Sequence, residues 1–506
     1  MPRPAPRAAL LPLSLIAVLM LGACAQMKPE PLTPAEITAV SGADRQRAQQ
    51  DVPPLQGPLT LPEAIARALK YNLDQSTHQL EQALARDQFE AGRFDELPRL
   101  VASAGYHDRS TDLVTRSKDS VTGAPSLANP YISSDRSVFS GDLSFTWSLL
   151  DFGQSYYASK ESADRLLIAA EHRRKAMHTL VQDVRTAFWR AASAQKLHDR
   201  VQAAITDAEG ALKDSREAQA ERLRNPVDAL RYQRELLENL RLLETIEQEL
   251  STARVELAAL IDLPPGQELR VAEPVPSAQA PWLDVPVDRL EELAIGNNAD
   301  LREAFYDARI ARLETRRTLL KMFPGLSFSY GPHASSDSYL VHRSWNEAGV
   351  QLSFDLLGLL SAPARKQMAD AGVALADQRR MATQMALLAQ VHIARLQYGN
   401  ALHQFKRADE IWQVDSRIAE QVSNRAQAQT QTQLDRVANQ TAAILSELRR
   451  YQALAQAQAA AGKLQATLGL EPVVGDSGRM SLPDLTKVVS AALAQWDQGL
   501  PAAAAP

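Results

Sequence analysis

Two stretches of this 506-residue chain, Gln154 to Ala218 and Ala362 to Ala426, run for 65 residues each with no internal proline except Pro363 at the start of the second. Both are rich in Ala, Gln, Arg, Leu and Glu, residues that lose little on entering a helix. At 1.5 Å per residue each rod reaches roughly 95 Å, several times the length of an ordinary globular helix. Each then turns back into a shorter helix. In the first, Leu236, Leu240, Leu243, Ile246, Leu250, Leu257 and Leu260 recur mostly at spacings of three and four, the stripe of an antiparallel coiled coil. A chain built on two such hairpins is elongated and mainly helical.

The two halves repeat. Leu61 to Asp74 and Val287 to Asp300 each read as a short amphipathic helix ending in Asn72-Leu73-Asp74 and Asn298-Ala299-Asp300, an offset of 298 minus 72, or 226. The same offset brings Leu97-Pro98-Arg99-Leu100 onto Phe323-Pro324-Gly325-Leu326. Further on, Trp147-Ser148-Leu149-Leu150 matches Phe354-Asp355-Leu356-Leu357, and Leu260-Ile261-Asp262-Leu263 matches Thr467-Leu468-Gly469-Leu470, both at an offset of 207. The difference of 19 residues falls in one polar loop, about 107–137 in the first repeat against a shorter one, about 332–343, in the second. Loops absorb such changes because the scaffold does not constrain them.

Each repeat carries two segments of alternating polarity, expected as strands at about 99–107 and 138–150, then 325–332 and 345–357. Phe139, Leu143, Phe145, Trp147 and Leu149 alternate with Ser140, Asp142, Ser144, Thr146 and Ser148; Val350, Leu352, Phe354 and Leu356 alternate with Gln351, Ser353 and Asp355; Leu326, Phe328 and Tyr330 alternate with Ser327, Ser329 and Gly331. The first strand, about Leu100 to Tyr106, is the weakest. Period-two patterning also describes a soluble sheet with one buried face. Two hairpins of membrane-spanning length in a secreted and otherwise helical chain instead suit a transmembrane barrel, with those apolar residues on its outer face. Four strands cannot close one, since open edges are not tolerated in lipid, so the barrel is expected to be shared between subunits.

Residues 1–23 read as a secretory signal peptide: Arg3 and Arg7, an apolar run from Ala8 to Leu21, then Gly22 and Ala23. Leu21-Gly22-Ala23-Cys24 resembles the bacterial lipobox, which implies a lipidated Cys24; ordinary cleavage after Ala23-Cys24-Ala25 is the alternative. Ala25 follows, where inner-membrane retention is associated with Asp. Cys24 is the only cysteine, so no intramolecular disulfide stabilises the fold. Residues 24–57 are Pro-rich and read as a tether, residues 264–286 as a Pro-rich linker, and 471–506 as a C-terminal tail. The repeats then span 58–263 and 287–470, with coiled coils at about 154–263 and 362–469. A formal net charge of -5 with interspersed signs gives no broad basic surface and argues against nucleic acid.

The order of these parts, together with Asp151-Phe152-Gly153 and Asn225-Pro226-Val227-Asp228-Ala229-Leu230-Arg231-Tyr232-Gln233, resembles the TolC-like outer-membrane factors over about residues 58–470. The resemblance implies a homotrimer with a twelve-stranded barrel and an α-helical periplasmic tunnel. It also implies an outer-membrane location, a periplasmic membrane-fusion adaptor and an inner-membrane pump as partners, and an efflux or secretion role. Members usually carry a glycine at the periplasmic tip; here those positions hold Arg222 and Gln429. Arg222, Leu223, Arg224, Asn225, Gln429, Thr430, Gln431 and Thr432 are the expected tips, read either as adaptor contacts or as solvated turns.

No Gly-rich phosphate loop, nucleophile elbow or His-Glu-x-x-His helix is present, so no enzyme and no cofactor are expected. His172 and His178 lie six apart on a helix and do not share a face, which favours a surface role over a metal site. Trp147 and Trp345 suit an interfacial aromatic girdle or burial against a helix. The rival to a pore is a periplasmic coiled-coil scaffold lipoprotein.

Overall fold

The computed structural model describes residues 30–125, 130–220, 226–264, 267–272, 280–427, 433–470 and 478–499. It divides into two units at Pro53. In the first, where composition alone suggests an extended tether, residues Pro34–Gln50 form helix α1. Local chemistry explains it: Thr33 Oγ1 accepts from the Glu36 amide at 3.3 Å while Glu36 Oε2 accepts from the Thr33 amide at 2.8 Å, a capping box with Pro34 opening the first turn. None of its residues is buried.

The second unit holds the repeats. Its first half runs α2 (Leu61–Tyr71), α3 (Leu73–Gly92), β1 (Arg99–Asp108), a two-residue ribbon of β2 (Val114–Thr115) and β3 (Tyr131–Ile132), β4 (Ser137–Ser148), α4 (Leu149–Ala220) and α5 (Pro226–Leu260). The second half runs α6 (Val287–Asn297), α7 (Ala299–Leu320), β5 (Gly325–Ser335), β6 (Ser344–Ser353), α8 (Gly358–Gln427) and α9 (Gln433–Thr467), and α10 (Leu482–Gln498) follows. At 72 and 70 residues, α4 and α8 are each somewhat over 100 Å long.

The repeat is kept down to single hydrogen bonds. Asn72 and Asn298 cap α3 and α7, accepting from the amides of Gln75 and Leu301 at 3.1 Å each. Their amide nitrogens donate to the last carbonyls of the returning helices, Leu260 at 3.2 Å and Thr467 at 3.1 Å. Those helices stop alike: Leu263 N bonds to Ala258 O and Leu470 N to Gln465 O, with Asp262 (φ 55) and Gly469 (φ 67) in the left-handed conformation that terminates helices. A side chain at Gly469 would lie 2.3 Å from the Asn297 carbonyl oxygen, so that position needs glycine, whereas Asp262 carries the strain.

The core runs along the bundle as the Leu stripe anticipates. Leu197 and Val201 of α4, Leu243, Ile246 and Leu250 of α5, and Ile444 and Leu448 of α9 pack together. A second cluster joins Leu290, Leu301, Val391, Leu464 and Leu468 to Trp282 and Trp496. The C-terminal residues, read from sequence as a tail, thus supply a docked helix. Ser481 caps α10, Leu485 and Val489 are fully buried, and Trp496 stacks on Trp282 with centroids 4.1 Å apart. The Trp282 indole N–H donates to the Trp496 carbonyl at 2.7 Å.

Candidate functional site

The four long strands form one antiparallel sheet in the order β1-β4-β5-β6. Register sorts the side chains. Leu100 faces Phe145, Ala102 faces Leu143 and Tyr106 faces Phe139; Phe145 faces Tyr330 and Trp147 faces Phe328; Phe328 faces Val350 and Leu326 faces Leu352. Because directly opposed residues share a face, these make one apolar face, and Leu100, Tyr106, Phe139, Leu143, Phe145, Tyr330, Val350 and Leu352 are all exposed on it. The other face carries Ser103, Ser140, Asp142, Ser144, Thr146, Ser327, Ser329, Glu347 and Gln351. Gly331 lets β5 lie close to β4; a Cβ there would meet the Leu143 carbonyl oxygen at 2.3 Å.

Of the residues assigned to the apolar face from sequence, Phe139, Leu143, Phe145, Trp147, Phe328, Tyr330, Val350 and Leu352 lie in the strands on it. Leu149 instead opens α4, and Phe354 and Leu356 lie in the turn after β6, although all three are exposed. The strands end where a polar residue caps the following helix: Ser148 Oγ accepts from the Asp151 amide at 3.2 Å and Asp355 Oδ1 from the Gly358 amide at 2.8 Å. Trp147 packs against Phe152 and Phe328. Trp345 does neither thing expected of it. It lies on the polar face, its ring stacked on His333 at 5.4 Å and 17°. Cys24 and the expected tips, Arg222 to Asn225 and Gln429 to Thr432, lie outside the described residues.

Away from the helices, the β1–β4 and β5–β6 loops clasp one another. Ser338 Oγ donates to Asp135 at 2.8 Å, while the Asp135 amide and the Ser134 hydroxyl donate to Asp337 at 3.2 and 3.0 Å. Backbone donors, that of Tyr339 first, hold the Asp337 carboxyl below the usual carboxylate range.

Beneath the sheet the two repeats meet along α4 and α7, and charge rather than oil fills that contact. Arg317 Nη1 donates to Glu161 at 2.9 Å, Arg309 Nε to Asp164 at 2.8 Å, and Arg302 Nε pairs with Glu171 at 2.8 Å. Lys175 meets Asp300 at 2.7 Å and His172 meets Glu303 at 3.0 Å. Burial pushes the Glu161 carboxyl up, against the pull of Arg317. The ladder escaped the sequence reading because charges scattered in Ala-rich helices look solvated; the acids at 161, 164 and 171 were the available signal. His172 is a surface residue in its ion pair, as anticipated. His178 is half-buried, and burial followed by the charge of Arg174 lowers its pKa to about 4.

Among the described residues no group of His, Cys, Asp and Glu is placed to hold a metal ion, and no helix is long and apolar enough to cross a membrane. A β-sheet crosses by other means.

Comparison with known proteins bears out the family resemblance read from the sequence. Residues 64–262 match the family described as outer membrane efflux protein. No curated protein sequence matches the chain. Among solved structures, the Campylobacter jejuni CmeC outer membrane channel matches with a TM-score of 0.64 at 12% identity, over 85% of this chain and 89% of that one. A membrane protein from Pseudomonas aeruginosa matches with a TM-score of 0.60 at 17% identity, over 83% and 92%. The open state of the Neisseria gonorrhoeae MtrE outer membrane channel matches with a TM-score of 0.57 at 16% identity, over 81% and 88%. The fold is that of these channels.

Proposed function

We propose that this chain is the outer-membrane channel subunit of a tripartite efflux or secretion system, conducting cargo passively from a periplasmic adaptor and an inner-membrane pump to the exterior. The observation that carries the proposal is the open sheet. It exposes an apolar face and leaves β1 and β6 as edges, an arrangement that lipid does not tolerate unless the edges are closed. Strands of 10 to 12 residues suffice to span a bilayer. Their alternating directions let β6 of one copy pair antiparallel with β1 of the next, and three copies of four strands make a closed wall of twelve.

The helices support the same assembly. Met368, Leu375, Met385, Ile393 and Leu396 are exposed along α8, an apolar stripe suited to a second copy. In the trimer the apolar strand face meets lipid and the polar face lines a wet path that continues between the long helices. A lipidated Cys24 would tether the chain to the outer membrane. The tips around 222–225 and 429–432 are the proposed adaptor contacts, with Arg222 and Gln429 in place of the usual glycines. The chain is not proposed to supply energy: no nucleotide motif occurs in its sequence.

Purified protein in detergent should run at three times the chain mass and open discrete conductance steps in planar bilayers. A monomer that opens no steps would refute the channel and favour a periplasmic scaffold.

A further inference from the structure

The polar face of the sheet is lined mostly by small residues: Ser103, Gly105, Ser140, Ser144, Thr146, Ser327, Ser329, Gly331 and Gly349 all lie on it. One Phe, Tyr or Trp of the four long strands departs from that pattern. Trp345, at the loop end of β6, projects from this face with 41% of its surface exposed. Cross-strand pairing puts it opposite His333, on which it stacks. His333 in turn pairs across to Asp142 and lies 3.8 Å from the Glu347 carboxylate. Asp142 is held in place by the Ser103 hydroxyl at 2.5 Å. Asp142 and Glu347 are the carboxylates of this face within the four long strands.

A large aromatic ring facing water costs apolar exposure that a Ser or Gly would avoid; besides Trp345, Val101 is the exposed large apolar side chain on this face, and no other Phe, Tyr or Trp of the four long strands lies there. The imidazole behind fixes one side of the indole and leaves the other open. The two carboxylates add negative charge within the same patch. An open π-face beside fixed anions selects for cations with flat apolar surface, because the ring quadrupole attracts positive charge and the ring area is dehydrated on contact.

We infer that Trp345, braced by His333 and flanked by Glu347 and Asp142, forms a binding station for aromatic organic cations on the inner wall near the channel mouth, one per subunit. The inference rests on the channel reading, which makes the polar face the lumen. The station concentrates such cargo at the wall and slows its passage there.

The test is time-averaged channel current in planar bilayers with tetraphenylphosphonium added on the loop side and tetraethylammonium as the non-aromatic control. Wild type should lose current with increasing tetraphenylphosphonium, at concentrations where tetraethylammonium has no effect. Trp345→Ala should raise the half-effect concentration roughly fivefold or more, as loss of one cation–π contact implies; Trp345→Phe should retain part of the effect. Glu347→Gln and Asp142→Asn should each weaken the block, read as a rise in the half-effect concentration relative to each variant's own unblocked current. Equal inhibition of wild type and Trp345→Ala, or equal inhibition by the two cations, overturns the station and leaves the channel standing. Absence of conductance from every variant, wild type included, overturns the channel instead.

Discussion

The charged contact between the two repeats makes an ordering prediction that intuition reverses. In the pair Asp164–Arg309 the acid side chain is 5% exposed and the arginine 53%. Arg309 holds the carboxylate through two hydrogen bonds, from Nε at 2.8 Å and from Nη2. In Arg309→Gln a buried anion loses both. A fully buried ion stripped of its partner costs about 3–5 kcal/mol; with water able to enter where the half-exposed guanidinium stood, about 2 kcal/mol is expected. In Asp164→Asn the remaining arginine turns to solvent and the cost is about 1 kcal/mol or less. The double variant pairs two amides and costs about 1 kcal/mol, so the coupling between the sites is at least ~1 kcal/mol.

Hydrogen exchange over residues 299–320 reads these values as local opening. Arg309→Gln should exchange roughly thirtyfold faster than wild type, and Asp164→Asn and the double variant no more than about fivefold faster. Raising salt to 1 M shortens the Debye length to about 3 Å yet should leave wild-type protection nearly unchanged, because the acids are shielded by protein. If Asp164→Asn opens the helix as much as Arg309→Gln, burial of the carboxylate does not govern this contact and the reasoning fails.

Three other outcomes are expected. Asp262→Gly relieves a left-handed non-glycine residue, a gain of about 1 kcal/mol, and removes a carboxyl whose pKa burial raises; thermal midpoints should rise, most at neutral pH and less as pH falls below 3.8, where the acid becomes protonated in the unfolded chain too. His178, whose pKa burial and Arg174 lower to about 4, resists protonation when folded, so stability present above pH 6.5 should drain as pH falls toward 4, and His178→Gln should flatten that loss in circular-dichroism melts. Leu352→Arg places a charge on the apolar strand face; in the proposed barrel this costs about 2–4 kcal/mol at the bilayer midplane and should lower the fraction of the proposed trimer that survives on gels, whereas Gln351→Arg on the polar face should not.

What the sequence disclosed and what it hid follow from how far each signal reaches. The hairpins were legible because Leu236 to Leu260 form a local stripe whose partner, α4, lies just before it in the chain. The strands were legible from alternation, but their ends were not: Leu149, Phe354 and Leu356 continue the apolar alternation past the strand ends at Ser148 and Ser353, and only the capping bonds of Ser148 and Asp355 mark the approach of the helix. Trp345 was misplaced because a residue type was used where register was needed; one position along the strand exchanges the apolar face for the polar one. Helix α10 was missed because its anchor, the Trp282–Trp496 stack, joins residues 214 apart. The Glu161, Asp164 and Glu171 ladder was hidden for the same reason, its arginines lying 156, 145 and 131 residues away.

That ladder has a structural logic that the sheet reveals. In the sheet Asp142 faces His333; 33 residues onward (175 minus 142) and 33 back (333 minus 300), Lys175 meets Asp300. The two segments therefore stay antiparallel neighbours from β4–β5 into α4–α7, although strand and helix rise differently per residue and the pairing shifts by two or three residues at Glu161–Arg317, Asp164–Arg309 and Glu171–Arg302. An apolar contact between α4 and α7 could slide, since hydrophobic packing in an Ala-rich helix tolerates a shift of one turn. Complementary charges cannot, because a slip would set Glu161, Asp164 and Glu171 in apolar surroundings without partners. The apolar clusters supply cohesion within each hairpin and, where α4 and α5 meet α9, between them. The charges between α4 and α7 specify alignment there, which the proposed trimer needs if its open sheets are to meet edge to edge.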